Sequence, residues 1–266
     1  MTAMRAFLWR DFRVAWSYRV SFLFQSGSLL FTLVSLRFLS DLLGESSPVA
    51  LDGYGGDYFS FVILGMGLSL LAYPVTKSFA GGVRAAQMTG TFEAMLTTRT
   101  PAVAIVFHSG LYPILLACTQ LAAMWIIAAL ALGAEFRVGD LALVLVVLLL
   151  TMAVLAGIGL LSAAFAIAFK QNEPLTTAFL AGSLLVSGIM YPTSVLPGWL
   201  ETIAPLLPLT HAVELTRLLF LEGADTTSVG LHFAALMAFA LMLPLGFLVL
   251  QRSITWARRC GSLSQY

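Results

Sequence analysis

From Gly188 to Arg217 the chain is apolar enough to sit in a membrane, yet Pro192, Pro197, Pro205 and Pro208 cut it into short pieces. A helix that crosses a bilayer needs about 20 consecutive apolar residues. An interior proline removes a hydrogen bond and clashes with the preceding turn, so no piece here is long enough. Non-helical backbone survives at membrane depth only where protein buries it or where it lines a cavity. The stretch therefore predicts a broken, re-entrant element folded into the outer face of a helical membrane bundle, a feature of proteins that move something.

Composition agrees. Of 266 residues, 59% are hydrophobic and 10% charged, against about 25% charged in soluble domains. This is the composition of an integral membrane protein. A net charge of +1 offers no basic surface for nucleic acid. Cys118 lies in an apolar run and Cys260 in the tail, so no disulfide framework is expected. About twenty residues with four arginines precede a full-length span, unlike the short basic region of a cleavable signal.

The expected fold is all-α, a single unit over 1–266 with six transmembrane helices at about 20–40, 58–76, 102–132, 140–169, 174–192 and 229–251. An N-terminal amphipathic interface helix covers 1–19, a cytoplasmic loop 77–101, and an outer re-entrant segment 193–228, between spans five and six. Spans three and four exceed the roughly 30 Å of hydrocarbon at 1.5 Å per residue. Pro113, and Gly157 with Gly159, are the expected bends.

Orientation follows from the basic residues. Arg5, Arg10, Arg13, Arg19, Lys77, Arg84, Arg99, Lys170, Arg252, Arg258 and Arg259 all fall on one side of this topology. The opposite side takes most of the acids. Both termini are therefore expected in the cytoplasm, with the chain multi-pass in a plasma membrane, the inner one in a bacterium.

Three segments stand out. In Ala3–Arg19, Trp9, Phe12 and Trp16 form one helical stripe and Phe7, Val14 and Tyr18 another, suggesting one face to the bilayer and one to protein. In the loop, GTFEAMLTTRTP runs from Gly90 to Pro101, and Phe92, Met95 and Leu96 share a face by i, i+3, i+4 spacing. Thr91 and Glu93 suit the start of that short helix. Its apolar stripe either folds back on the bundle or plugs into a partner. The proline-broken segment resolves into two short helices, about 197–204 and 209–222. There Glu214 and Arg217 are spaced to pair, either as a simple surface ion pair or, with Glu201, at an exit gate.

Catalytic patterns are missing. There is no G-x-x-x-x-G-K-[ST] phosphate loop and no H-E-x-x-H zinc site. His108, His211 and His232 lie in separate segments without ligand spacing. An intramembrane protease pairing Ser162, Ser183 or Ser187 with His232 is a minor alternative, since small polar residues in membrane helices chiefly serve packing. A gradient-driven secondary transporter or channel is the main one. It needs an ionisable relay within the spans, where Asp and Glu are essentially confined to the ends.

These pieces together resemble the membrane permease subunit of type-2 ATP-binding-cassette exporters. Gly90–Pro101 is similar to the G-T-[LF]-E-x-[LM]-L…P motif of that family. Gly188–Arg217 is similar to its Y-P…L-P-x-W-L…P-L-T-x-x-x-x-x-x-R signature, and the basic aromatic N-terminus to its interface helix. A departure is Thr98-Arg99-Thr100-Pro101, where the family often has Val-x-Pro or Ser-Pro. The resemblance implies a dimer of permeases, the homodimer favoured, above two cytoplasmic ATPase subunits. It further implies that ATP and Mg are carried by those partners and that this chain has no cofactor or catalytic residue of its own. It implies that Thr91, Phe92, Glu93, Met95 and Leu96 couple to the ATPase. Trp9, Arg10, Phe12, Arg13 and Trp16 would form the interface helix. Tyr191, Pro192, Trp199, Glu201, Glu214 and Arg217 would belong to the exit segment.

Overall fold

The computed structural model describes residues 3–43, 57–137, 140–169, 174–222 and 226–259. Lys170 and Cys260 lie outside them, as do the side chains of Glu93 and Glu222. Among the described residues every regular element is helical, as expected: α1 (Ala3–Ser17), α2 (Arg19–Leu43), α3 (Tyr58–Met88), α4 (Thr91–Leu96), α5 (Ala102–Ala131), α6 (Leu141–Phe169), α7 (Pro174–Val186), α8 (Gly198–Ile203), α9 (Pro208–Arg217), α10 (Thr226–Ala240) and α11 (Met242–Arg259). Helices α2, α3, α5, α6 and the α10–α11 run are long and apolar enough to cross a bilayer.

The central element is α3. Its Phe59, Phe61, Leu64, Leu68 and Phe79 are fully buried, and α5, α6 and α9 pack around it. Asp57 starts it by accepting from the backbone N–H of Phe59 and Ser60 at 3.2 and 3.0 Å, satisfying donors that a helix start otherwise leaves open. The helix runs 31 residues, so Lys77–Met88, read from sequence as loop, is helix. Within it Gly82 lets Ser109 of α5 approach closely. The turn comes at Thr89–Gly90, where Gly90 takes the left-handed φ of 66° that costs glycine least.

The residues expected to bend spans three and four do not interrupt their helices. Helices α5 and α6 run unbroken through Pro113 and through Gly157 and Gly159. A Cβ on Gly157 would stand 2.6 Å from Leu243 N, and one on Gly246 would stand 2.7 Å from Gly157 O. The two glycines thus bring the backbones of α6 and α11 together, the small-residue packing of membrane helices. The final crossing is interrupted at Leu241, between α10 and α11. Pro244 follows and has no N–H to continue the ladder.

The fifth expected span, 174–192, is shorter than read. Helix α7 has 13 residues, a length of about 20 Å against roughly 30 Å of hydrocarbon. It stops at Val186, and Gly188 turns the chain with a φ of 71°. The layer is completed by α8 and α9, which pack on α7 and meet each other at 90°.

Candidate functional site

The broken segment is built around its prolines. A 3-10 turn at Thr193–Val195 leads through Pro197 into α8, a second at Ala204–Leu206 leads through Pro208 into α9, and α9 ends in a π turn, Leu218–Glu222. Pro208 occupies the first turn of α9, where a missing N–H is harmless. The corner between α8 and α9 is held by side chains. Thr210 Oγ1 donates to the Ala204 carbonyl at 2.7 Å, and His211 Nε2 lies 2.8 Å from the Pro205 carbonyl.

That contact fixes a tautomer. A carbonyl only accepts, so His211 Nε2 carries a proton, and in the neutral ring Nδ1 is then an acceptor. His232 Nδ1, on α10, lies 2.9 Å from His211 Nδ1 and must donate to it. The histidine pair therefore staples the α8–α9 corner to α10. Sequence separated these two residues by 21 positions and gave no sign of the pairing. Ser162 accepts from Thr176 at 2.6 Å, and among the described residues no serine hydroxyl is bonded to His232.

Arg217 is the centre of the segment. It is fully buried. Its Nη2 donates to the Ile189 carbonyl at 2.9 Å, and Nη2 and Nε share the Phe61 carbonyl at 3.3 Å. Its guanidinium carbon stands 3.4 Å over the Phe61 ring. Glu214 Oε2 is farther off, at 3.9 Å from Nη1. The Ile189 carbonyl is free to accept because α7 has already ended. The Phe61 carbonyl belongs to the first turn of α3. Gly65 completes the socket: a Cβ there would collide with the Ile189 carbonyl oxygen and stand 3.0 Å from Arg217 Nη2. A guanidinium spreads five donors in a fixed fork, which fits one cation to two carbonyls on different elements. Arg217 thus fastens α9 to α3 and to the end of α7.

The other exit candidates do not converge on Arg217. Tyr191 donates its hydroxyl to the Leu185 carbonyl and Pro192 is buried in the turn, while Trp199 and Glu201 are exposed on α8. Across this end of the bundle, the backbone N–H of Arg137 donates to the Phe220 carbonyl and that of Glu135 to Ser60 Oγ. The α5–α6 connection is thereby tied to α3 and to the π turn.

At the opposite end, α4 folds back on the bundle. Phe92 is buried and Met95 and Leu96 are partly buried against the core. Thr91 Oγ1 is 2.9 Å from Thr89 Oγ1. The outward face is instead Thr91, Ala94, Thr97, Thr98 and Arg99, all exposed. Lys77, at the same end, donates to Thr177 Oγ1 at 2.9 Å and ties α3 to α7.

Helix α1 also lies at that end and has no buried residue. The Trp9–Phe12–Trp16 stripe is stacked, with ring centroids 6.0 and 5.9 Å apart, and exposed. The second stripe is only partly used: Phe7 packs 5.8 Å from the His108 ring of α5, while Val14 and Tyr18 are exposed. Phe7, Leu8, Asp11 and Ala15 form the half-buried side instead.

The sequence pattern of the ABC-2 type transporter matches residues 2–221, which takes in α1 to the π turn. The chain belongs to the ABC-2 type transporter family. It is 41% identical over 66 residues to "Nodulation protein J" of Sinorhizobium fredii, 25% of each chain. It is 29% identical over 96 residues to "Nodulation protein J" of Rhizobium meliloti, 36% of each chain. The matched stretches span well under two thirds of either relative's length. This ABC-2 chain is a multi-pass membrane protein and the membrane component of a transporter.

Proposed function

We propose that the chain is the permease subunit of an ATP-driven exporter, forming the substrate pathway as a homodimer above two separate cytoplasmic ATPase subunits. ATP and Mg bind to those subunits. The observation that carries the proposal is α4, a short helix bracketed by Gly90 and Pro101 at the end rich in Lys and Arg. Its apolar side is seated in the bundle and its polar side is presented outward. A lever of that build transmits a push, because displacing Thr91–Arg99 moves Phe92 and hence α3 and α5. Nucleotide shifts the transporter only by binding its two conformations unequally. Membership of the ABC-2 family supports the reading, as does the basic end, which by the positive-inside rule is cytoplasmic and carries both termini. The α8–α9 pair then lies at the exit, with Trp199 and Glu201 on its surface.

The test is a mild-detergent pull-down of the tagged chain with an ATPase assay. A stoichiometric ATP-binding-cassette subunit is expected. Ala94→Arg, on the outward face of α4, is expected to remove that subunit and leave the permease monodisperse. A permease that copurifies no ATPase would overturn the proposal. It would direct attention to Glu214, Arg217, His211 and His232, which α9 and α10 gather together, as the relay of a gradient-driven transporter.

A further inference from the structure

The region that the exporter reading leaves unused is the groove beside α1. Arg5, Arg10, Arg13 and Arg19 fall within fifteen residues, facing one acid, Asp11, and Arg10 pairs with it at 2.7 Å. Arg13 and Arg19 stand over Trp9 and Trp16 at 5.0 and 5.3 Å. The cations and the aromatic ladder thus share one surface. Beside the contact of α1 with α5, these two helices and the start of α2 enclose a groove of about 1050 Å³. That is the upper end of ligand-pocket size, roughly 300–1,000 Å³. Phe12, Trp16 and Leu23 form one wall, Leu115 and Leu116 the other, and Arg5 and Arg19 supply the charge. From Tyr112 to Thr119 the α5 wall runs about 10 Å away from the charged end. A cationic rim with a long apolar floor fits an amphiphile, not a compact polar metabolite.

We propose that this groove holds an anionic phospholipid of the bilayer, with its phosphate on Arg5 of α1 and Arg19 at the start of α2 and its acyl chains between α2 and α5. Charge complementarity selects this occupant over a second copy of the chain. At this end of the topology the sequence supplies only Asp11, Glu93 and Glu173 as acids, and Asp11 is already paired. Anionic lipid supplies a phosphate for every headgroup and is attracted by juxtamembrane arginines. The lipid also gives α1, which buries no residue of its own, a floor to rest on. The proposal is independent of the ATPase partner.

The experiment uses the full chain in nanodiscs containing phosphatidylglycerol or phosphatidylcholine with brominated acyl chains, and reads tryptophan quenching. Brominated phosphatidylglycerol is expected to quench more strongly than brominated phosphatidylcholine at equal mole fraction. The excess should vanish in Trp9→Phe/Trp16→Phe, which leaves Trp125, Trp199 and Trp256 as background. Arg5→Gln/Arg19→Gln should weaken the preference by roughly fivefold per arginine, whereas Arg252→Gln/Arg258→Gln on α11 should not. All four arginines are at exposed positions, so neither double variant threatens the fold. Equal quenching by the two lipids would reduce the groove to ordinary lipid contact and overturn the proposal. Protection of Trp9 and Trp16 from both would overturn it too, by showing that protein covers the groove.

Discussion

Gly65 and Arg217 are 152 positions apart but share one carbonyl, and a double-mutant cycle reads that sharing. In Arg217→Lys an ammonium on a shorter stem replaces the fork, falls short of the Nη2 position and gives up the bond to the Ile189 carbonyl. Losing one hydrogen bond from a charged donor costs about 1.5–3 kcal/mol. The cation over the Phe61 ring adds about 2 kcal/mol when desolvated, part of which lysine keeps, so the variant should lose about 2–4 kcal/mol. Gly65→Ala forces a methyl against the Ile189 carbonyl, with an overpacking cost of about 1–3 kcal/mol, and pushes that oxygen away from Nη2. The bond from Nη2 to Ile189 is lost in either single variant and is not lost twice in the double. The two effects should therefore fall short of additivity by about 1 kcal/mol or more, whereas independent sites add within about 0.5 kcal/mol. The assay is unfolding by sodium dodecyl sulfate in mixed micelles, followed by tryptophan fluorescence. Additive losses, or a stability unchanged in Arg217→Met, would refute the socket.

Other perturbations separate the remaining contacts. Phe92→Asp should destabilise the permease itself by several kcal/mol through a buried carboxylate, lowering its unfolding midpoint; Ala94→Arg should leave that midpoint unchanged while ATPase copurification is lost. Gly157→Leu should pry α6 from α11 and cost at least the 1–3 kcal/mol typical of overpacking, measured in the same micelles, while Gly198→Ala, with nothing within 4 Å of a Cβ, should cost far less. His232→Phe should cost about 0.6–1.7 kcal/mol, the range of polar contacts between membrane helices, and His232→Asn should recover part of it by offering His211 Nδ1 a new donor. Asp57→Ala should lower the midpoint by about 1 kcal/mol through loss of the α3 cap.

The sequence made the helical class, the long crossings and the broken segment legible, because apolar run length and proline position act locally. It also placed α4 between Gly90 and Pro101 and drew the Trp9–Phe12–Trp16 stripe correctly. What escaped it was direction. Periodicity gave α4 an apolar face at Phe92, Met95 and Leu96, but a stripe reads the same whether it meets its own bundle or a partner. Helix α7 was overread because Ser187–Met190 is as apolar as a helix; the left-handed turn at Gly188 is visible only in the backbone. Arg217 looked like half of an ion pair with Glu214, since spacing shows neighbours along a helix. Its stronger partners are backbone carbonyls of α3 and the α7 end, and carbonyls carry no signature in sequence. Gly65 and the His211–His232 pair were missed for the same reason: each matters only through a residue distant in the chain.

The order of residues in the Arg217 socket bears on how the protein is made. Phe61, Gly65 and Ile189 all precede Arg217, so a ribosome working from the N-terminus has produced every part of the receptor before the arginine emerges. The most costly side chain in the bundle need not wait in lipid for later helices. It arrives at a finished receptor, and α10 and α11 can be threaded afterwards against α6, with His232 closing on His211 as the last crossing settles. The order of synthesis thus lets the one fully buried arginine of the described residues meet a seat made before it.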